Sequence, residues 1–363
     1  MIVSSLEAEG YRNLSATRFL PSPFVNVIYG DNAQGKTNLL EAVWLFTGGR
    51  SFRGAKDGEL ISFGKDTARL CLGFQAAGRP QKAELIMENG RRRASVNEIP
   101  QRSPAGLIGR FCAVIFAPVH LSLVKDGPSE RRKFLDAALC QIKPAFATAL
   151  SRYNKGVQQR NALLKDLSRK PYLRDTLDSW DETVSALGEV LTRERLLYLE
   201  RLCPQAEEIY RGIAAQKETM SIAYRSSCGK GESLLDALRR VREEDIRAGI
   251  TTVGPHRDDF DILVDRAPAR SFASQGQQRS AVLALKLSEA AVLEQIIGEK
   301  PVVLLDDVMS ELDVHRQDYL LNHMKGWQVF ITCCDPTAVL RMTGGCAFCV
   351  KNGVLTAEPD RKA

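Results

Sequence analysis

The run Gly30-Asp31-Asn32-Ala33-Gln34-Gly35-Lys36-Thr37 limits the folds open to this chain more than any other stretch. It has the spacing of a phosphate-binding loop: two glycines, then a lysine and a hydroxyl residue. Val25-Asn26-Val27-Ile28-Tyr29 before it reads as a buried strand, and the segment from Asn38 to Trp44 after it reads as a helix. A loop held between those elements turns backbone N–H groups toward phosphate oxygens, and the helix N-terminus adds partial positive charge. Glycine at 30 and 35 permits backbone angles and a close approach that a side chain would block. Lys36 can reach the β- and γ-phosphates, and the Thr37 hydroxyl can sit on Mg²⁺. The expectation is a site for ATP or GTP formed by residues Gly30 through Asn38, with Lys36 as its catalytic cation.

Three later motifs decide which kind of nucleotide protein this is. Pro301-Val302-Val303-Leu304-Leu305-Asp306-Asp307 is an apolar run ending in two carboxylates. Asp306 is placed to hold Mg²⁺, and Asp307 to orient or deprotonate the attacking water. A buried strand running into a turn would look the same. Ser274-Gln275-Gly276-Gln277-Gln278-Arg279 opens an amphipathic helix, with Val282, Leu283, Leu285, Leu287 and Ala290 available to its buried side. Ser274 and Gln277 also have capping-box spacing, so helix initiation accounts for part of that pattern. Ser310-Glu311-Leu312-Asp313 follows where ATP-binding-cassette proteins carry a D-loop. Lys36 and Asp306 lie 270 positions apart, whereas Ser274 precedes Asp306 by only 32. Phosphate-loop kinases and G proteins keep both Walker elements in one compact domain; here a large insertion splits it. The predicted fold is α/β, an ATP-binding-cassette (SMC/Rad50-like) ATPase core interrupted by an inserted, mainly helical lobe.

Several further motifs, in order, make the resemblance narrower. Tyr11-Arg12-Asn13-Leu14 stands near the start and Arg50-Ser51-Phe52-Arg53 follows the first helix. Later come the run from Leu123 through Lys125-Asp126-Gly127-Pro128-Ser129-Glu130-Arg131-Arg132 to Asp136, then Gln159-Arg160-Asn161-Ala162-Leu163-Leu164-Lys165, then Gly254-Pro255-His256-Arg257-Asp258-Asp259. With the phosphate loop and the Ser274 motif, these resemble the RecF family of bacterial replication and repair ATPases nearly end to end. Val119-His120 stands where that family usually has an acidic pair, and no Q-loop glutamine is evident there. The resemblance implies a switch residue at Thr332, after the strand Val329-Phe330-Ile331. It implies ATP and Mg²⁺ as cofactors and an ATP-dependent homodimer that sandwiches each nucleotide between one loop and the partner's Ser274-Gln275-Gly276-Gln277. It further implies slow hydrolysis coupled to binding of gapped or junction DNA, single- and double-stranded, with RecO and RecR as partners in loading RecA. An ATPase subunit of a membrane transporter and a phosphate-loop kinase are the alternatives.

Composition is ordinary for a globular chain, 44% hydrophobic and 26% charged over 363 residues. Acids at Glu7 and Glu9 and the lack of a long apolar run argue against a signal peptide and a membrane span. Nine cysteines then point to free thiols in a reducing cytoplasm; Cys346-Ala347-Phe348-Cys349 has no second matching pair and reads as strand. A net charge of +6 is too mild to prove nucleic-acid binding, but its distribution is uneven. From Lys143 to Lys170 the bases Arg152, Lys155 and Arg160 and their neighbours face a single acid, Asp166. Phosphate-backbone contact and a solvated helix face both explain that segment. Arg91-Arg92-Arg93, after a turn-like Asn89-Gly90, is a second candidate for DNA contact. The acid-rich stretch from Asp175 to Glu200 carries Trp180, Val184, Leu187 and Leu191 at helical intervals. The expected organisation is a core half over 1–115, a helical lobe over 116–248 broken at Pro144, Pro171 and Pro204, and a returning core half over 249–363.

Overall fold

The computed structural model describes residues 1–358. In chain order, β1 (Ile2–Glu9), β2 (Thr17–Phe19) and β3 (Val25–Tyr29) lead into α1 (Lys36–Trp44). There follow β4 (Thr67–Ala76), β5 (Arg79–Glu88), β6 (Arg91–Val96), β7 (Ile99–Pro100) and β8 (Ala113–Phe116). The inserted lobe holds α2 (Ser122–Lys125), α3 (Pro128–Ile142), α4 (Pro144–Asp166), α5 (Thr176–Ile213), β9 (Met220–Arg225), α6 (Leu234–Arg240) and α7 (Arg242–Ala248). It continues through β10 (Asp259–Val264), β11 (Ala267–Pro268) and α8 (Ala269–Phe272) to α9 (Gln275–Ile297). The chain closes with β12 (Val302–Asp306), α10 (Val314–His323), β13 (Val329–Cys333), α11 (Thr337–Thr343), β14 (Cys346–Lys351) and β15 (Val354–Ala357).

The core sheet runs β15-β14-β3-β13-β12-β8, parallel except for the edge strand β15. Its central strands are near-continuous apolar runs because both faces are covered; Val302–Asp306 and Val329–Cys333 are buried throughout. One face carries α1 and the antiparallel sheet β2-β1-β4-β5-β6-β7. The other packs on α9 and the helices of the lobe. Strand β13 lies between the strand that leads into the phosphate loop and the strand that ends in Asp306. Both motifs therefore emerge at the carboxyl edge of the sheet, where open α/β sheets bind ligands.

Two expectations about the lobe are corrected. A division at 249 would part β9 from β10, which pair along their whole length from Asp259↔Arg225 to Val264↔Met220. The return to the core lies after α8; residues 359–363 of the expected last segment are outside the described residues. Pro204 does not break the lobe either, because α5 runs through it. Pro204 forfeits one i→i−4 bond, yet Leu199, Leu202, Ala206 and Ile209 on both sides of it are buried in the shared core. Pro144 and Pro171 do sit at helix starts, where a missing N–H costs nothing.

Candidate active site

The phosphate loop and the two closing strands meet as their chemistry requires. Gly30 and Gly35 adopt φ of +150° and +114°, and a Cβ at Gly30 would stand 2.3 Å from the Val350 carbonyl oxygen. Lys36 is buried and folded back on its own loop: Nζ donates to the carbonyls of Gly30 at 2.5 Å and Asp31 at 2.8 Å. Thr37 Oγ1 donates to Asp306 Oδ1 at 2.8 Å, and from β13 Thr332 Oγ1 donates to the same oxygen at 2.8 Å. Thr332 in turn accepts from the Asp307 backbone N–H at 2.9 Å. One carboxylate oxygen thus joins the loop, the Walker B strand and the strand between them.

Asp306 has the setting of a metal ligand. Burial raises its pKa, opposed by the hydrogen bonds from Thr37 and Thr332. Among the described residues no salt bridge reaches it. A buried carboxylate without a counter-cation, facing a threonine hydroxyl, suits a hard divalent cation. When bound, Mg²⁺ there would neutralise phosphate charge; Thr37 and Asp306 are the residues that would hold it. Asp307 follows at φ +53°, a left-handed conformation uncommon outside glycine and more tolerable for Asp than for bulky residues. That turn swings its carboxylate away from Asp306 to Ser310, whose Oγ donates to the Asp307 carbonyl at 3.0 Å and carboxylate at 3.3 Å.

The early motifs converge behind this site on a residue not picked out by the sequence reading. Glu41, on the helix that follows the loop, is fully buried and accepts from Tyr11 Oη (2.9 Å), Arg12 Nε (3.0 Å), Ser51 Oγ (2.5 Å) and Arg53 Nη2 (2.6 Å). Burial would raise its pKa, but hydrogen bonds from Arg53, Arg12 and Ser51 pull it to about 2. Arg53 Nη2 also donates to Asn38 Oδ1 at 2.5 Å, which ties the second motif to the first turn of the phosphate-loop helix. The signal for a shared anionic partner was that both short motifs pair arginine with a hydroxyl residue, Tyr11 in the first and Ser51 in the second.

Among the described residues, Ser274, Gln275, Gly276 and Gln277 make no hydrogen bond to the loop. Ser274 Oγ accepts from Gln277 N–H at 3.2 Å and Ser274 N–H donates to Gln277 Oε1 at 2.8 Å, a complete capping box. Gln277 Nε2 donates to Glu218 at 3.0 Å. Helix initiation is thus part of the motif, and Ser274 and Gln275 remain exposed at the start of a 23-residue helix. After β8, His120 Nδ1 accepts from the Ala117 N–H at 2.9 Å; no glutamine occupies that turn.

Two of the expected DNA contacts are corrected. Arg160 is wholly buried, donating to Asp181 at 2.7 Å, Asp245 at 2.6 Å and Thr251 at 2.9 Å. Its charge holds three parts of the lobe together. Arg92 turns inward, its Nη1 donating to the Gly49 carbonyl at 2.9 Å, because alternation along β6 puts it on the face opposite to Arg91 and Arg93. Arg91, Arg93, Arg152 and Lys155 are exposed, Arg93 paired with Glu88 at 2.5 Å. The other motifs are internal too: Arg131 pairs with Asp259, Arg195 with Asp136, and Asp258 accepts from Tyr224 and Ser227. Cys346 and Cys349 sit three apart on β14 and so on opposite faces of the strand, which separates them as joint ligands.

A phosphate loop and paired carboxylates at the carboxyl edge of a split parallel sheet define an ATPase of the ATP-binding-cassette class. Residues 5–243 match the AAA domain family. The chain is 41% identical over 344 residues to the DNA replication and repair protein RecF of Ruminiclostridium cellulolyticum, covering 92% of each. The chain belongs to the RecF family. It superposes with a TM-score of 0.90 on the recombination mediator protein RecF-ATP of the RecFOR pathway, at 36% identity over 99% of this chain and 98% of that one. The Smc head domain of Pyrococcus furiosus, solved with an extended coiled coil and the C-terminal domain of ScpA, shares the fold at a TM-score of 0.55 and 14% identity, over 98% of this chain and 96% of the other. Among the described residues no helix is long and apolar enough to cross a membrane.

Proposed function

We propose that this chain is an ATP- and Mg²⁺-dependent DNA-binding protein of recombinational repair and replication-fork maintenance. ATP drives it into a homodimer on gapped or junction DNA, in the cytoplasm, where it acts with RecO and RecR to load RecA. The observation that carries the reading is the double hydrogen bond into Asp306 from Thr37 and Thr332, which assembles loop, metal ligand and switch residue in one place. The relative solved as RecF-ATP in the RecFOR pathway supports the nucleotide and the pathway.

Lys36 and Thr37 bind the β- and γ-phosphates, Asp306 holds the metal, and Asp307 orients the water. Thr332 reports the state of Asp306 to the Asp307 turn through its hydroxyl. Ser274–Gln277 makes no hydrogen bond to the loop of its own chain among the described residues, and its exposed hydroxyl and helix N-terminus serve the phosphate of a partner copy. Large apolar side chains exposed beside that motif and after the D-loop, Phe272 and Val314, support the same face as the dimer contact. Filter binding to gapped, duplex and single-stranded DNA with ATP or ADP tests the reading. ATP-dependent retention of gapped DNA is expected; equal retention with ATP, ADP and no nucleotide would overturn it.

A further inference from the structure

In a trans peptide the C=O of one residue and the N–H of the next point in opposite directions within one plane. Whatever holds the carbonyls of a phosphate loop outward therefore turns its N–H groups inward. Besides the Gly35 carbonyl, which the Leu39 N–H takes as the helix begins, four carbonyls of this loop have such holders. Lys36 Nζ takes those of Gly30 and Asp31, and must leave them to meet a phosphate. The other two are held from outside the loop. Asn13 Nδ2 donates to the Ala33 carbonyl at 2.9 Å, and the backbone N–H of Gly353 donates to the Gln34 carbonyl at 3.1 Å.

Gly353 belongs to the turn between β14 and β15, and that turn is fitted closely to the loop. The Asn352 N–H donates to Gln34 Oε1 at 2.5 Å, and the Gly353 carbonyl accepts from the Ser15 N–H at 3.0 Å. Gly353 has φ of +74°, and a Cβ there would stand 2.0 Å from the Asn13 carbonyl oxygen. Asn13 Oδ1 in turn accepts from Asn38 Nδ2 at 2.6 Å. Asn13, Gln34 and Gly353 thus form one small cluster on the outside of the loop tip.

We propose that Gly353 and Asn13 are positioning residues of the nucleotide site. Gly353 sets the direction of the Gly35 N–H by pinning the Gln34 carbonyl, and Asn13 sets that of the Gln34 N–H by pinning Ala33. The last hairpin of the chain is then a clamp that pre-organises the phosphate cradle before nucleotide arrives. This deepens, and rests on, the reading that Gly30–Thr37 holds nucleotide phosphates.

Gly353→Ala drives a methyl group against Asn13 and displaces the clamp. Gly78→Ala is its matched control: in the β4–β5 turn it has φ of +69° with nothing within 4 Å of the added Cβ. Calorimetric titration with ATP and with ADP, beside thermal unfolding of each variant, reads the difference. Both variants are expected to lose thermal stability for their positive φ, Gly353→Ala the more because of its clash with the Asn13 carbonyl. Only Gly353→Ala is expected to weaken nucleotide binding, by about tenfold for ATP and ADP alike, since the cradle meets phosphates that both carry. Asn13→Asp keeps the acceptor used by Asn38 and sets a carboxylate against the Ala33 oxygen; it should show the same paired loss, and it carries the test should Gly353→Ala not fold. Folded variants with wild-type affinity for both nucleotides, or a loss confined to ATP, overturn the clamp. Wild-type protein that binds no ATP, or binds it equally well as Lys36→Met, overturns the site reading instead.

Discussion

Lys36 carries the one mobile positive charge of the phosphate loop, and its present partners, the Gly30 and Asp31 carbonyls and Cys334 Sγ, are ones that a phosphate would replace. Lys36→Met keeps the aliphatic stem and removes the charge-assisted bonds. ATP affinity should fall by about tenfold or more, with hydrolysis lost and the fold retained. The neighbouring aspartates should divide along a different line. Asp306→Asn removes the charge of the proposed metal ligand, so the Mg²⁺-dependent part of ATP binding should disappear. Asp307→Asn keeps a residue type that tolerates φ of +53° and changes only the charge. It should bind ATP normally and slow the chemical step by about a hundredfold or more. Equal loss of ATP affinity in both aspartate variants, measured with and without Mg²⁺, would show that the two roles are misassigned.

At the scale of elements, Glu41 ties α1 to the two loops that carry Tyr11, Arg12, Ser51 and Arg53. Its pKa lies near 2 in the folded chain against an ordinary 4.5, so its pairing contributes stability that is complete above about pH 4.5 and is lost as pH falls toward 2. Glu41→Gln strands two guanidinium groups and should cost about 3 kcal/mol at neutral pH. The gap in urea-unfolding free energy between wild type and this variant should narrow between pH 5 and pH 3; a gap independent of pH would contradict the linkage. Helix α4 gives a second contrast. Arg152→Glu with Lys155→Glu changes exposed charges and should weaken DNA binding across sequences, flattening the slope of log affinity against log salt by up to about two units. Arg160→Ala should instead destabilise the lobe by about 3–5 kcal/mol, because Asp245 is left buried without its cation and Asp181 keeps only Arg242. An unchanged salt slope in the double variant would move DNA contact to Arg91 and Arg93.

At the scale of the molecule, the proposed dimer would complete each site with the loop of one copy and the Ser274 motif of the other. If ATP binds the closed dimer better than the separated protomers, mass action makes dimerisation nucleotide-dependent. Ser274→Arg should keep ATP binding while abolishing ATP-induced dimerisation and hydrolysis. It should cost only about 1 kcal/mol of stability from the lost capping box. Mixed with Lys36→Met, it should recover part of the hydrolysis, since one mixed dimer rebuilds one intact composite site. Sedimentation with ATP decides the point: a species that stays monomeric at all concentrations while hydrolysing ATP at full rate would rule the dimer out.

Local chemistry was legible from residues alone. The loop, the strand ending in Asp306-Asp307, the helix opened by Ser274 and the turn at Asn89-Gly90 each follow from short-range rules: phosphate-loop glycines, apolar runs, a capping box and left-handed turn residues. Their order along the chain also implied a split cassette core. Side-chain direction was not legible in the same way. Arg160 and Arg92 carry the same charge as Arg152 and Arg91, and only the packing of α4 against Asp181 and Asp245, and the alternation of β6, set which face inward. The boundary at 249 was misplaced because composition does not record that β9 pairs with a strand 34 positions beyond its own end. Glu41 and Gly353 look unremarkable in one dimension. Their roles arise from groups far apart in sequence meeting at one buried carboxylate and at one outward carbonyl, and such long-range meetings are what tertiary structure alone decides.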